Sequence, residues 1–204
     1  MLEVPSDLPG GRRELILFHA ERLFAERGFH GATLSGIARA SGLKNPGLIH
    51  YFPGKAQLYR AVLEAIATDL EQRLADALEH VNGAGPRLRA LVEVQVAWIR
   101  ERPVAVRLVQ RELLDNPERL GSAHVLPLAG FVSTARSIVL DAQAEELVSP
   151  GPPEVKLNLL IGVLAYGAVV RPTFRQMLDV PLLDSEEAWM RAIADDLLGL
   201  LQGS

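Results

Sequence analysis

Apolar residues recur at intervals of three and four along most of this chain, which is the spacing of one buried helix face. In the first such segment, residues 11–27, the predicted buried positions are Leu15, Ile16, His19, Ala20, Leu23 and Phe24. Gly28 follows directly, and a glycine at this place is well suited to end a helix. No stretch alternates with the period of two that marks a β-strand. The pattern therefore predicts an all-α protein.

Two short helices are predicted next. Thr33 is placed to cap the first, residues 34–40, because its hydroxyl can accept a hydrogen bond from an amide of the first turn. Asn45 and Pro46 suit the start of the second, residues 46–52. Asparagine is a favoured cap, and a proline at the first helical position loses no hydrogen bond.

The residues between these two helices predict a tight corner. Ala38 is a small residue of the kind that two steeply crossing helices need at their contact, and Gly42 tolerates a left-handed backbone. Leu43 and Leu48 then supply apolar positions on the second helix. Such an arrangement is typical of a helix-turn-helix.

Longer helices occupy the rest of the chain. A sustained apolar stripe predicts one over residues 55–80. Glycine and proline clusters separate the segments that follow, which are predicted at residues 86–102, 103–114, 119–147 with a kink at Pro127, 153–178 and 185–201. The expectation is about nine helices in total.

The last two predicted helices carry much apolar surface. Residues 153–178 are apolar on nearly every side, which a helix facing water is not. The final helix presents Trp189, Ile193, Leu197, Leu198 and Leu201. Two arrangements bury these side chains: a four-helix bundle with the same pair from a second copy, or burial within one chain. We favour the homodimer through the two C-terminal helices.

Composition narrows the class of protein. The chain has 204 residues, 49% of them hydrophobic and 23% charged, which is globular rather than disordered. Its longest apolar run, residues 157–170, includes Asn158 and is shorter than the roughly 20 residues of a bilayer span. No secretory signal is visible at residues 1–11, and cysteine is absent. We expect a cytoplasmic protein without a membrane partner.

Charge is unevenly distributed around the net value of −4. Residues 11–60 hold eight Lys and Arg against three Asp and Glu, whereas residues 61–204 hold 13 against 20. A basic N-terminal part on an acidic body suits a module that meets phosphates. The alternative is ordinary fluctuation of charge over a short segment.

Motifs of enzymatic chemistry are absent from the sequence. We find no glycine-rich phosphate loop, no HExxH pair and no nucleophile elbow. The expectation is a protein that is not an enzyme and holds no metal or cofactor. An all-α enzyme with a helix-turn-helix look-alike and a helical protein-interaction module are the competing functions.

The series GFHGATLSGIARASGLKNPGLIHYFPGKAQLYRAVL resembles the N-terminal module of the tetracycline-repressor-type (TetR) transcriptional regulators. It shares a Gly-Phe before a Thr cap, an Ile-Ala pair, a Gly-Leu turn, a recognition helix ending in His-Tyr-Phe, and a Lys that opens the fourth helix. The resemblance covers residues 20–62 with their flanks. It implies a dimeric, ligand-responsive regulator, most often a repressor, that binds a near-palindromic double-stranded DNA operator.

The resemblance also implies which residues touch DNA: Thr33, Ser35, Lys44, Asn45, Pro46, Gly47, His50, Tyr51 and Lys55. Ile49 stands where many family members have tyrosine, and Gly47 replaces the more usual Thr, Ser or Ala. Asn45 either caps its helix or reads a base, and Tyr51 either contacts phosphate or packs in the core. Because of the departures at Ile49 and Gly47, base preference is not transferable from a relative.

Pro5, Pro9 and Gly10 predict a mobile leader at residues 1–10. The resemblance implies a DNA-binding domain at residues 11–54 and an effector-binding and dimerisation domain at residues 55–204. Candidate effector contacts are polar or aromatic residues on otherwise apolar faces: Gln95, Trp98, His124, Phe131, Asn158 and Tyr166. Such residues around an apolar cavity suit a small hydrophobic effector.

Overall fold

The structure is a computed structural model that describes residues 11–115 and 127–202, apart from the side chain of Asp115. The predicted leader at residues 1–10 and the candidate effector contact His124 lie outside the described residues. The helices are α1 (Arg12–Gly31), α2 (Leu34–Ala40), α3 (Asn45–Tyr51), α4 (Lys55–Leu78), α5 (Ala84–Glu101), α6 (Pro103–Asp115), α7 (Ala129–Ala144), α8 (Pro153–Met177) and α9 (Glu186–Gln202), with a short 3₁₀ turn, Pro181–Asp184, before α9. The prediction of an all-α protein is confirmed.

Most helices begin and end near the glycine and proline residues that predicted their ends, and two places differ from the prediction. The backbone of α1 leaves the helical region at Gly28, where φ is 69°, and a further turn carries it to Gly31. The prediction of one kinked helix over residues 119–147 is wrong in its described part. Pro127 and Leu128 form a turn outside the helix, because proline has no amide to donate and its ring collides with the preceding turn.

The chain divides into two compact units by packing. The first comprises the described parts of residues 1–67 and 104–127, and the second comprises residues 68–103 with those of 128–204. Helix α4 contributes residues to both units. The predicted functional division into residues 11–54 and 55–204 is a separate matter and stays a prediction.

The first unit is built from α1, α2, α3, the first half of α4 and α6. Its core contains fully buried apolar side chains from the four N-terminal helices: Ile16, Ala20, Phe24, Ile37, Leu48 and Leu58. Helix α6 is fastened to α1 by Arg111, whose Nη1 donates to the carbonyl oxygens of Glu26 at 3.1 Å and Ala25 at 3.4 Å. It is fastened to α4 by the Tyr59 hydroxyl, which donates to Glu112 Oε2 at 2.5 Å.

The second unit contains α5, α7, α8, α9 and the end of α4. Its core is apolar and includes Leu91, Ile138, Leu160, Leu164 and Met190. Asp69 is the main polar junction of this unit, since one carboxylate joins α4 to α5. It accepts hydrogen bonds from Arg73 Nε at 3.0 Å, Trp98 Nε1 at 3.0 Å and Arg102 Nη1 at 2.7 Å.

Candidate nucleic-acid interface

The corner between α2 and α3 has the predicted construction. Ala38 and Leu48 are buried at the contact, and Gly42 has a φ of 67°. The Leu43 amide donates to the Ala38 carbonyl at 2.8 Å, which closes the end of α2. Gly42 is required here because an L side chain rarely adopts this backbone conformation.

Thr33 begins α2 as predicted. Its Oγ1 accepts a hydrogen bond from the Gly36 amide at 3.1 Å, and the Ser35 hydroxyl donates to the same oxygen at 3.3 Å. Both side chains are exposed. The cap leaves the hydroxyls at the surface, where the resemblance expects phosphate contact.

The start of α3 differs from the prediction that Asn45 is the cap. Lys44 is the N-cap residue, it makes no side-chain capping bond, and Asn45 is already helical. An extended backbone at Lys44 moves the boundary one residue earlier, with Pro46 still inside the first turn, where its missing amide costs little. The exposed Asn45 side chain is therefore free of a capping role.

Helix α3 buries one residue and presents the others. Only Leu48 is fully buried, whereas exposed side chains cover most of the remaining surface: Asn45, Pro46, Ile49, His50 and Tyr51. Tyr51 is 42% exposed, so packing does not account for its whole side chain. Ile49, which stands where many members of the resembled family have tyrosine, is 47% exposed.

Lys55, expected at phosphate, is held by the protein itself. Its Nζ donates to the carbonyl oxygens of Ala32 at 3.1 Å and His30 at 3.4 Å, and it lies 4.7 Å from the centre of the Phe29 ring. These partners lie more than 20 residues earlier, so no local pattern in the sequence indicated them. Its expected contact with phosphate stays a prediction.

The charged side chains of this surface are basic. Between Gly28 and Arg60 the chain has four basic residues, Arg39, Lys44, Lys55 and Arg60, and no acidic one. Arg39 and Lys44 are exposed beside α3. Arg13 is 5.3 Å from the centre of the Phe52 ring, so this arginine packs against the end of the helix-turn-helix. The exposed basic side chains of this surface can neutralise phosphates.

The candidate effector residues fall into two groups in the second unit. Gln95, Trp98 and Phe131 are buried, and Trp98 and Phe131 are tied to the α4 carboxylates Asp69 and Glu71. Asn158 and Tyr166 are exposed on α8, Tyr166 by 64%. The two groups do not form one interior cluster within a single chain.

Gln95 is the polar exception in the core of the second unit. Its side chain is only 4% exposed, and its Nε2 is buried without a hydrogen-bond partner. A buried amide donor without an acceptor costs roughly 1–3 kcal/mol. An acceptor oxygen brought by a bound molecule would satisfy it.

A surface cleft of about 350 Å³ lies elsewhere in this unit. It is mainly apolar and is lined by residues such as Gly85, Leu88, Leu147 and Leu198. None of the five candidate effector residues that the structure describes lines this cleft.

Helix α8 has one buried face and one exposed face in the single chain. One face is buried and contains Leu157, Leu160, Leu164 and Gly167. The other face exposes apolar side chains at helical spacing, namely Val155, Leu159, Val163, Tyr166 and Val169. By length and composition alone, α8 is the one helix in the described part of the chain that could cross a membrane. The described residues hold no group of three or more His, Cys, Asp or Glu side chains arranged for a metal ion.

The sequence of this chain is similar to those of known proteins. Residues 16–62 match the family described as "Bacterial regulatory proteins, tetR family". The transcriptional activator FasR of Mycolicibacterium smegmatis is 34% identical over 108 residues, which cover 52% of this chain and 49% of FasR. The transcriptional regulator RutR of Escherichia coli K12 is 32% identical over 145 residues, which cover 65% of this chain and 67% of RutR. The match therefore spans about half of FasR and two thirds of RutR.

Solved structures agree in fold. The structure described as AibR in complex with isovaleryl coenzyme A and operator DNA has a TM-score of 0.70 and 22% identity, over 93% of this chain and 97% of AibR. The likeness to AibR establishes the all-α fold with its N-terminal helix-turn-helix. The matches in residues 16–62 and to RutR define the class, which is described as bacterial regulatory proteins. The protein belongs to the tetR family.

Proposed function

We propose that this protein is a homodimeric, ligand-responsive repressor that binds a near-palindromic DNA operator. The observation that carries the proposal is the exposed surface of α3, which presents Asn45, His50 and Tyr51. Lys44 lies next to them at the N-cap position, and its side chain makes no capping hydrogen bond. Asparagine can pair bidentately with adenine in the major groove, and lysine neutralises phosphate. The AibR structure contains operator DNA, which supports the same role for this chain.

The dimer rests on the outer face of α8. An exposed apolar stripe more than three helical turns long, from Val155 to Val169, is costly in water and suits a helix of a second copy. Lys156 and Arg171 lie within the same helix, where a membrane span would place charges in lipid. We therefore assign this face to the subunit interface.

The effector is proposed to bind inside the second unit next to Gln95. The unpaired amide, with Trp98 on the same helix and an apolar core around it, suits a hydrophobic molecule with an acceptor oxygen such as a carbonyl. The solved AibR complex holds isovaleryl coenzyme A, an acyl compound of this general chemistry. An effector that favours a different spread of the two DNA-binding units weakens operator affinity by its differential affinity, typically 1–3 kcal/mol.

Selection from a random duplex library with the purified full chain tests the proposal. We expect a near-palindromic consensus whose half-sites lie about one helical turn apart, roughly 34–36 Å. Footprinting that shows a single unpaired half-site would contradict the dimeric mode. A reporter placed behind the selected site tests the sign of regulation: the signal should rise when the gene for this protein is deleted. A fall would instead identify an activator, as FasR is described.

A further inference from the structure

Ile49 lies in the middle of α3 and is exposed to solvent. Its neighbour Leu48 supplies the buried contact of this helix, and Ile49 is 47% open to solvent. Single exposed apolar side chains are common on protein surfaces, so exposure alone decides nothing. The position of Ile49 among the other exposed residues of α3 is what distinguishes it.

Ile49 lies one helical turn after Asn45. At 100° and 1.5 Å per residue, the two side chains are about 40° apart around the helix and about 6 Å apart along it. By the same geometry, Asn45, Ile49, Pro46 and His50 occupy one arc of about 140°, on the side away from Leu48. All four are exposed. The spacing of about 6 Å corresponds to roughly two base-pair steps at 3.4 Å each.

The major groove offers one apolar group for such a side chain. Each thymine projects its 5-methyl group beside the hydrogen-bonding edge of its base pair, and aliphatic side chains contact it. Ile49 is aliphatic, is flanked on its arc by a free amide and an imidazole, and stands in a segment that is basic without any acidic residue. A nucleic-acid edge is therefore a better partner for it than an apolar protein surface.

We propose that Ile49 is a specificity-determining residue that contacts the 5-methyl group of a thymine in each half-site, about two base-pair steps from the base pair read by Asn45. The inference rests on the proposed DNA-binding function and adds what the recognition helix reads. An adenine at Asn45 and a thymine at Ile49 together predict that each half-site contains two A·T pairs. The departure from tyrosine at position 49 thus exchanges one kind of contact for another.

Replacing thymine by deoxyuridine tests the inference on the unaltered protein. Deoxyuridine lacks only the methyl group and keeps the hydrogen-bonding pattern of thymine. In duplexes that carry the selected site, each thymine is replaced in turn and Kd is measured by fluorescence anisotropy at one fixed salt concentration. We expect one thymine in each half-site whose replacement weakens binding about fourfold, the equivalent of about 0.8 kcal/mol for one buried methyl.

The Ile49→Ala variant then assigns the methyl contact to this side chain. It should bind the thymine and deoxyuridine duplexes equally, whereas Ile49→Val, which keeps the branched carbon, should retain part of the discrimination. Pro46→Ala is the matched control, because Pro46 is the other exposed apolar side chain on the arc. It should keep the full fourfold penalty.

The possible results distinguish failure of the Ile49 inference from failure of the proposed DNA-binding function. Sensitivity to the methyl group in wild type that disappears in Ile49→Ala supports the inference. Wild type that binds its selected site without any sensitive thymine, or Ile49→Ala that keeps the penalty, overturns the inference and leaves the DNA-binding function standing. Failure of wild type to retain any duplex overturns the proposed function itself.

Discussion

The Lys55 ammonium lies 3.1 Å from the carbonyl oxygen of Ala32, which ties the start of α4 to the loop before α2. A second carbonyl, that of His30, and the face of Phe29 complete its surroundings. Hydrogen bonds from a charged donor contribute about 1.5–3 kcal/mol each when desolvated, and less at a half-buried site. Lys55 therefore has a structural role in the helix-turn-helix.

We predict that Lys55→Met lowers the unfolding temperature. Methionine keeps the apolar stem but loses both hydrogen bonds, so a cost of about 1–2 kcal/mol is expected, or a few degrees for a chain of this size. Thermal unfolding followed by circular dichroism measures it. An unchanged unfolding temperature would contradict the structural role of Lys55.

Lys44→Ala is the counterpart of that variant. Lys44 is exposed and makes no capping bond, so its removal should leave the unfolding temperature unchanged. The slope of log Kd against log salt concentration should flatten by about one unit, without a change in the preferred sequence. A constant slope would argue against a phosphate contact at this position.

Gly47→Ala should separate stability from DNA binding. A Cβ at Gly47 would meet Leu43 at 3.6 Å, which is ordinary contact, and the backbone is helical. Alanine should thus stabilise the fold by roughly 0.5–1 kcal/mol and, if the backbone approaches the bases closely, weaken operator binding tenfold or more. Gly42→Ala gives the opposite sign of stability, because φ is 67° there. Equal operator affinity for wild type and Gly47→Ala would show that the groove leaves room for a methyl group.

His19 gives the first unit a pH-dependent stability. Burial, and to a lesser degree the charge of Arg22, lowers the pKa of His19 below its usual 6.5. The unfolded chain therefore binds the proton more readily, so the stabilisation is complete above about pH 6.5 and is lost as pH falls through the folded-state pKa. Urea unfolding at pH 7.5 and at pH 5.5 should show a smaller loss in His19→Gln than in wild type. His80→Gln, at an exposed site, serves as the control and should behave as wild type.

Val163→Glu should dissociate the proposed dimer. Val163 is 39% exposed on the outer face of α8, and a carboxylate buried there without a partner costs several kcal/mol. We expect a weakening of dimerisation by about a hundredfold or more, measured by sedimentation equilibrium. Leu140→Glu is the matched control, since Leu140 on α7 is also 39% exposed. Dissociation by both variants alike would place the interface elsewhere.

Gln95→Leu should preserve the fold and remove the response to effector. Replacement of an unpaired buried donor by an apolar group of similar size is neutral or stabilising by about 1 kcal/mol. Operator affinity without effector should be unchanged, and the effector concentration for half-release should rise about tenfold or more. Asn158→Leu, at an exposed site on α8, controls for a general change in the second unit. An effector response that survives in Gln95→Leu would exclude Gln95 from the pocket.

Local signals accounted for most of the secondary structure. Thr33, Gly42 and the Pro150–Pro153 cluster each restrict the backbone within a few residues, so they could be interpreted without tertiary contacts. Asn45 shows the limit of such signals, because Lys44, one residue earlier, became the cap. Helix ends commonly shift by one or two residues when a neighbouring conformation is nearly equal in energy.

The candidate sites depended on information of longer range. The sequence by itself determined that the chain is helical, that α2 and α3 meet at a corner, and that its N-terminal part resembles a DNA-binding module, because spacing, glycine and proline act locally. Only the tertiary structure decided that Lys55 is held by the carbonyls of Ala32 and His30, that Gln95 is buried without a partner, and that Ile49 faces solvent. These facts depend on which residues distant in sequence are brought into contact. The periodicity of apolar residues along one helix does not determine those contacts.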